Sequence, residues 1–305
     1  MKNNSYMLNN YMILAEKFAD EDDVDRALDF YNKAYQLREG RRNIELLLDM
    51  AVFYDELGKE HLAIEKFKEV IDINPEDARA YYGLAMTFDN DMEYDDAIKL
   101  YKKAIELDDK YDRAYFFLAN AYDETGEKEK AIESYKKVNE LNPEDYWAYV
   151  NLGVIYEEQN QNLLAKEATE KALEIEPSHY KALFNMGVIL KNLGSLEESK
   201  LYYIKAIEKE PHYPYSYLNL GVIFIEEEEY KKAIEVFGQG IDNNPDEASL
   251  FYNRACCYAQ LQKPEIALID IIKALEIYPE LLEFMKSDKE LSSIRDLEAY
   301  KKLFK

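Results

Sequence analysis

From Asp112 to Asp145 the apolar residues fall into two helical rows. Tyr115, Leu118, Ala119 and Tyr122 follow i, i+3, i+4, i+7, which puts them on one face of a helix. Ala131, Tyr135 and Val138 follow i, i+4, i+7 on a second helix. Gly126 lies between the rows and suits a helix end in the left-handed region, as Gly58 and Gly194 do in their own segments. Pro143 closes the second row, because the residue before a proline is pushed out of helical geometry. The next row begins three residues later, so the pattern predicts a helix–turn–helix unit used again and again.

The unit returns every 34 residues: Pro143, Pro177, Pro211, Pro245 and Pro279 keep that interval. Pro75 lies two periods before Pro143, with Asp109 in the slot between. Ala63, Ala97, Ala131 and Ala165 keep the same beat, followed by Ser199, Ala233 and Ala267. The copies are 8–41, 44–77, 78–111, 112–145, 146–179, 180–213, 214–247 and 248–281, together 1–281 with the lead-in. Two extra residues near Arg42 and Asn43 offset the first copy, which has Glu39 at the proline slot. Terminal repeats are expected to depart from the pattern. After residue 281, Ser287 and Glu290 have capping-box spacing. Leu291, Ile294 and Leu297, then Tyr300, Leu303 and Phe304, are the apolar residues of a tail predicted to cap the last repeat as a helical segment over 282–305.

These residues resemble the tetratricopeptide repeat. In 146–179 the match reads Tyr149, Leu152, Gly153, Tyr156, Ala165, Ala172 and Pro177, with Thr169 in place of the usual aromatic. The resemblance implies an all-α fold, a right-handed α-solenoid or superhelix of paired helices. It also implies that the first helices line a concave groove. At about 100° per residue, the face opposite the consensus side chains is made by local positions 2, 5, 6, 9, 12 and 13 of each copy.

Local position 5 holds Met12, Leu48, Tyr82, Phe116, Val150, Phe184, Leu218 and Tyr252; position 9 includes Val52, Met86, Val154, Val188, Val222 and Cys256. Positions 12 and 13 are mostly acidic, and position 2 carries Arg79, Arg113, Trp147, Lys181 and Tyr215. An apolar floor with one acidic border is therefore expected. The valines suit packing between neighbouring first helices. Tyr82, Phe116, Phe184 and Tyr252 are candidate anchors for a partner, since aromatics are common recognition residues.

Position 6 holds Asn151, Asn185, Asn219 and Asn253 in four successive copies. An amide offers donors and acceptors matching the N–H and C=O of an extended peptide. The row resembles the asparagine ladder of O-GlcNAc transferase tetratricopeptide arrays, which implies a peptide-backbone site; the alternative is that each amide satisfies helix-end carbonyls nearby. A second resemblance is to the carboxylate clamp of chaperone adaptors. Asn120, Asn151 and Lys181 match it in register, whereas Phe116 and Asn185 replace two of its cations and remove much of the charge-assisted binding.

The net charge of −24 argues against nucleic acid and anionic membrane as partners and favours a basic or neutral protein or peptide. The only cysteines, Cys256 and Cys257, are adjacent and form no disulfide framework. The start MKNNSYMLNN has no apolar core of a signal peptide, so a cytoplasmic protein is expected. His61, His179 and His212 have no metal-ligand spacing, and the acidic run from Glu226 lacks the EF-hand pattern. No metal, cofactor or catalytic group is expected. The sequence thus predicts a scaffold or adaptor, co-chaperone-like, that binds a peptide or protein in its groove; the alternative is a self-associating subunit, a homo-oligomer or part of a larger assembly.

Overall fold

A computed structural model describes residues 2–295 and 297–303. Phe304 of the expected tail lies outside the described residues. The chain divides into two compact units, Met1–Ala148 and Tyr149–Lys305.

The first unit holds four helical hairpins: α1 (Lys2–Asp20) with α2 (Val24–Gln36), α3 (Ile44–Glu56) with α4 (Glu60–Ile73), α5 (Ala78–Asn90) with α6 (Tyr94–Leu107), and α7 (Asp112–Glu124) with α8 (Lys128–Leu141). Helix α9 (Tyr146–Glu158) carries the division between the units. The second unit continues with α10 (Asn162–Ile175), α11 (Tyr180–Asn192), α12 (Leu196–Lys209), α13 (Pro214–Glu226), α14 (Tyr230–Asn243), α15 (Ala248–Gln260) and α16 (Pro264–Ile277). Helix α1 starts at Lys2, ahead of residue 8 where the first copy begins.

Each hairpin turns on one residue with positive φ. In order these are Asp22, Gly58, Met92, Gly126, Asn160, Gly194, Glu228 and Gln262. Three are glycine; the others accept a conformation that costs an L side chain free energy. The reason is the bonding of the helix end. At Gly58 and Glu228 alike, the N–H of the next residue reaches back to a carbonyl of the last turn, Lys59 to Tyr54 at 2.8 Å and Glu229 to Phe224 at 2.8 Å. Some first helices start on side-chain caps: Asn43 accepts from the Leu46 N–H at 2.8 Å, and Asp77 from that of Arg79 at 3.1 Å.

The repeating small residues close each hairpin. Ala27, Ala63, Ala97, Ala131, Ala165, Ala233 and Ala267 are fully buried. Ser199, the one polar member, is equally buried and donates its hydroxyl to the Gly187 carbonyl at 2.6 Å. Seven residues after Ala165, Ala172 is buried too, and between them Thr169 donates to the Ala165 carbonyl at 2.8 Å. The aromatics four residues after the small one fill the space between helices: Phe67, Tyr101, Tyr135, Tyr203 and Phe237 are all buried. Where glycine faces them the approach is close. A Cβ on Gly187 would lie 2.6 Å from the Tyr203 ring, and on Gly221 2.3 Å from the Phe237 ring. On Gly153 it would meet the Thr169 hydroxyl at 2.4 Å.

The segment after α16 forms α17 (Leu281–Ser287), a 3-10 turn (Lys289–Ile294) and α18 (Glu298–Leu303). Met285, Leu291, Ile294 and Tyr300 share one apolar cluster with Phe251, Cys256, Ile271 and other residues of α15 and α16. The Ser287–Glu290 capping box does not form. Ser287 ends α17 and donates to the Phe284 carbonyl at 3.0 Å, while Asp288 accepts from the Glu290 N–H at 2.9 Å. The reason is that the tail breaks after α17 and resumes as 3-10, moving the cap one residue on. Among the described residues no helix is long and apolar enough to cross a membrane.

Candidate functional site

In the first unit the face left over by the core closes into a cavity of about 540 Å3. Its lining comes from the positions opposite the consensus residues. Position 2 supplies Glu45, Arg79 and Arg113, position 5 Leu48 and Tyr82, position 6 Asp49 and Gly83, and position 9 Val52 and Met86. Asp55 and Glu56 close one border, and Phe67 and Tyr111 complete the lining. Val52 is 49% exposed, a solvent-facing apolar side chain on this surface. Asp49, Gly83 and Tyr111 are members that sequence reasoning did not single out. The signal was available at position 6, where Asp49 and Gly83 precede the asparagine row, but only the repeated residue type drew attention to that position.

Charge in this cavity is unevenly paired. The Arg79 guanidinium bonds both oxygens of Glu45, at 2.9 and 3.0 Å, and both of Asp77, at 2.8 and 3.0 Å. These bonds hold Asp77 below the usual carboxylate range. Asp49 has no cation bonded to it among the described residues. Burial first, then the fields of Glu16 and Glu45, push its carboxyl up to about 6, against a weaker pull from Arg79. Asp89 accepts from the Tyr101 hydroxyl at 2.8 Å, and burial raises its carboxyl as well.

The candidate anchors are partly buried and packed among aromatics. The Tyr82 ring lies 4.9 Å from that of Tyr111 and 6.1 Å from that of Phe117. Phe116 packs edge-on against Phe117 and Tyr135. Asn120 accepts from the Tyr135 hydroxyl, so its amide braces the hairpin.

In the second unit the four position-6 asparagines are each partly exposed. The Asn219 amide donates to the Tyr215 carbonyl at 3.0 Å, and that of Asn253 to the Ser249 carbonyl at 2.7 Å. Each bond returns to the amide's own helix, one turn back, rather than to a neighbouring helix end. It uses one of two N–H donors and no acceptor site. Phe184 packs on Tyr203 and Tyr213. Lys181 is exposed, with its ammonium 6.0 Å from the Tyr180 ring centre. Tyr252 donates to Asp288 and meets the Phe284 ring edge-on at 5.7 Å, so the tail engages this anchor.

The histidines and cysteines lie outside the lining of the cavity in Met1–Ala148. His179 caps α11 by accepting from the Ala182 N–H at 3.2 Å, and burial lowers its pKa. His212 lies 2.8 Å from the Asn243 carbonyl. Cys256 and Cys257 are free, buried thiols. The Cys256 sulfur and one oxygen each of Asp288 and Glu290 lie within 4.8 Å of one another. Burial, then Glu290, push this thiol far up, so it keeps its proton at neutral pH.

Helical hairpins on a 34-residue period, with a partly exposed first-helix face, define a helical-repeat protein. Tetratricopeptide repeat models match residues 48–112, 93–148 and 134–167, and one further such model matches 180–213, 214–247 and 248–281 in succession. The chain belongs to the tetratricopeptide repeat family. No curated protein matches the sequence. Among solved structures, the MamA protein is 28% identical with a TM-score of 0.51, over 55% of this chain and 92% of MamA. A tetratricopeptide repeat protein from Parabacteroides merdae is 21% identical with a TM-score of 0.60, over 83% of this chain and 99% of its own. A chain of the APC/C hetero-tetramer Cut9–Hcn1 is 17% identical with a TM-score of 0.56, over 94% of this chain and 55% of that one. The last two show the fold alone.

Proposed function

We propose that the protein is an interaction scaffold that takes an extended segment of a partner protein along its first-helix faces. One observation carries this reading. The positions that the period puts opposite the consensus residues supply most of the lining of the cavity in Met1–Ala148. A face that a chain keeps unfilled over successive repeats is a docking surface, and rigid helices lower the ordering cost of binding. In Tyr149–Lys305 the same role falls to Asn151, Asn185, Asn219 and Asn253, whose amides hold a peptide backbone. The partner is basic or neutral, in keeping with the net charge of −24. Two buried thiols suit a reducing compartment, and the protein works in the cytoplasm.

The test is the double variant Asn185→Ala, Asn219→Ala, studied by thermal unfolding and by titration with peptides selected on an array. Each lost amide contact is expected to weaken binding by about 0.5–1.5 kcal/mol while the unfolding curve stays nearly in place. A lower melting temperature with unchanged affinity would assign the asparagines to the fold.

A second reading, self-association, is favoured by exposed apolar residues on the second helices of two hairpins: Leu201 on α12 is 57% exposed and Ile269 on α16 is 65% exposed. Sedimentation of wild type and of Leu201→Glu, Ile269→Glu separates the two. A concentration-dependent oligomer lost in the variant supports the subunit reading.

A further inference from the structure

The cavity of Met1–Ala148 has a chemistry more specific than peptide binding. Resting on the scaffold reading above, we propose that it takes a long cationic side chain of the partner segment, arginine before lysine. The aliphatic stem lies on Leu48, Val52 and Met86, and the charged head meets Asp49.

Size, floor and charge point the same way. A volume of about 540 Å3 exceeds one side chain and suits a side chain with its flanking backbone. Leu48, Val52 and Met86 give an apolar floor of the kind along which arginine and lysine stems lie, with methionine adapting to their shape. Four carboxylates, those of Glu45, Asp49, Asp55 and Glu56, face two guanidinium groups in the lining. Arg79 is committed to Glu45 and Asp77 by the bonds described above, so its charge is already spent. Asp49 and Asp55 are the partly buried acids of the four with no cation bonded among the described residues; Asp55 accepts from the Asn90 amide at 3.2 Å, which leaves Asp49 the less satisfied of the two. Glu16 from α1 and Glu45 from α3 add to the negative field at its carboxyl, and Arg79 from α5 offsets only part. An incoming cation supplies what the fold omits. An anionic head would meet four carboxylates, which is the reverse of a carboxylate clamp. Arg113, the other guanidinium of the lining, is exposed and bonds at the Tyr82 hydroxyl rather than at Asp49, and arginine is preferred because the Tyr82 ring face offers an aromatic wall against which a planar guanidinium stacks.

The fold supplies the opening as well. A Cβ on Gly83 would stand 2.2 Å from the Phe67 ring. Glycine at this position lets α5 close on Phe67 and leaves the cavity floor without a further side chain beside Asp49.

The inference predicts a pH dependence with a definite sign. A cation binds the deprotonated Asp49, whose carboxyl sits at about 6 in the free protein. Affinity is therefore flat above that pH and falls as pH drops through it, with protons taken up by Asp49 as the ligand leaves. Binding near neutral pH accordingly releases protons.

The experiment uses the full chain and a synthetic peptide array. From the array the tightest binders are taken, and each arginine or lysine is replaced in turn by citrulline or norleucine, which keep the shape and lose the charge. One cationic residue is expected to dominate, its replacement costing about tenfold or more in Kd. Asp49→Asn is expected to weaken the parent peptide by a similar factor, to remove the penalty for citrulline, and to flatten the pH profile between about 5 and 7.5. Glu106→Gln, an exposed acid away from the cavity, leaves all of this unchanged and controls for general attraction to an acidic protein. Peptides that bind equally well with citrulline, or with the same pH profile in Asp49→Asn, overturn the cation inference and leave peptide binding standing. An array without any binder overturns both. If Asp49→Asn fails to fold, the citrulline series and the wild-type pH profile decide the matter without it.

Discussion

In Met1–Ala148 the sixth position of the first helices holds Ile13, Asp49, Gly83 and Phe117, whereas in Tyr149–Lys305 it holds Asn151, Asn185, Asn219 and Asn253. The hairpins around these residues are built alike, but three of them place glycine differently against the interhelical aromatic. Phe67 approaches the position-6 glycine of the next copy, and Gly83 has no room for a Cβ. Tyr203 and Phe237 are instead relieved within their own copies, by Gly187 and Gly221 at position 8. Position 6 carries a partly exposed amide in these two copies, as it carries a partly exposed carboxylate at Asp49. The residue type at position 6, carboxylate and glycine in the lining of the cavity and amide throughout the second unit, is what separates the two surfaces.

Only Tyr149–Lys305 carries a tail packed on its last hairpin, and this difference has the largest expected effect. Leu291 and Ile294 are fully buried in the cluster that joins the tail to α15 and α16. Leu291→Ala or Ile294→Ala is expected to cost about 2–5 kcal/mol, less than additively together because they share the cluster. Amide exchange should show the loss in α15, α16 and the tail, with Met1–Ala148 as protected as before. Protection lost equally in both units would mean that the chain unfolds as one body and that the division has no energetic meaning.

The glycine contrast comes next. Gly83→Ala places a methyl against the buried Phe67 ring, and Gly221→Ala against the buried Phe237 ring. Each is expected to cost about 1–3 kcal/mol in urea unfolding, as the ring or the helix must move. Gly58→Ala is the matched control: nothing lies within 4 Å, and only its φ of +64° opposes the substitution. If Gly83→Ala proves as mild as an ordinary surface change, Phe67 is not what keeps that position small.

Much of this was legible in the spacing of residues. Proline, alanine and aromatic recur on a 34-residue period, so the helix pairs and their faces came from periodicity, and the solenoid class from the family resemblance. The turns were less so. Glycine at 58, 126 and 194 announced a left-handed residue, but Met92, Asn160, Glu228 and Gln262 hold the same conformation without its usual marker. Helix-end bonding imposes the geometry whatever the side chain. The cavity was half legible. Its positions came from the helical period, but Asp49 drew no notice, because its lack of a cation depends on which acids Arg79 chooses across helices. The tail's apolar rhythm was visible, and the break after Ser287 was not, since Asp288 and Ser287 are equally plausible caps on paper.

Asp49 gives a smaller test of the charged side of the comparison. Its folded pKa of about 6 lies above the unfolded value of about 3.9, so the charge opposes folding above pH 6 and the penalty fades as pH falls towards 4. The group is half-buried, and screening reduces the effect to about 1 kcal/mol. Asp49→Asn should therefore raise the melting temperature at about pH 7.5 and leave it unchanged near pH 4. An equal rise at both values would point to packing rather than charge. No asparagine variant of the amide row should show this pH dependence.

The smallest effect concerns the turns that use no glycine, one from each unit. Met92 has φ +61° and is 74% exposed, so Met92→Gly removes little buried surface. Glu228 has φ +60° in the middle of an acidic run whose other members have partners: Glu226 with Lys191 at 2.8 Å, Glu227 with Lys200 at 3.0 Å and Glu229 with Lys232 at 2.5 Å. Glycine relieves the left-handed strain but adds freedom to the unfolded chain, so the net gain is expected to be about 0.5–1 kcal/mol at either site. Glu228→Lys separates conformation from charge, because it reverses the charge and keeps the strain. If Glu228→Gly stabilises in urea unfolding and Glu228→Lys does not, the backbone is responsible. If the two gain equally, repulsion within the run is the cause, and Met92→Gly, which changes no charge, should then gain nothing.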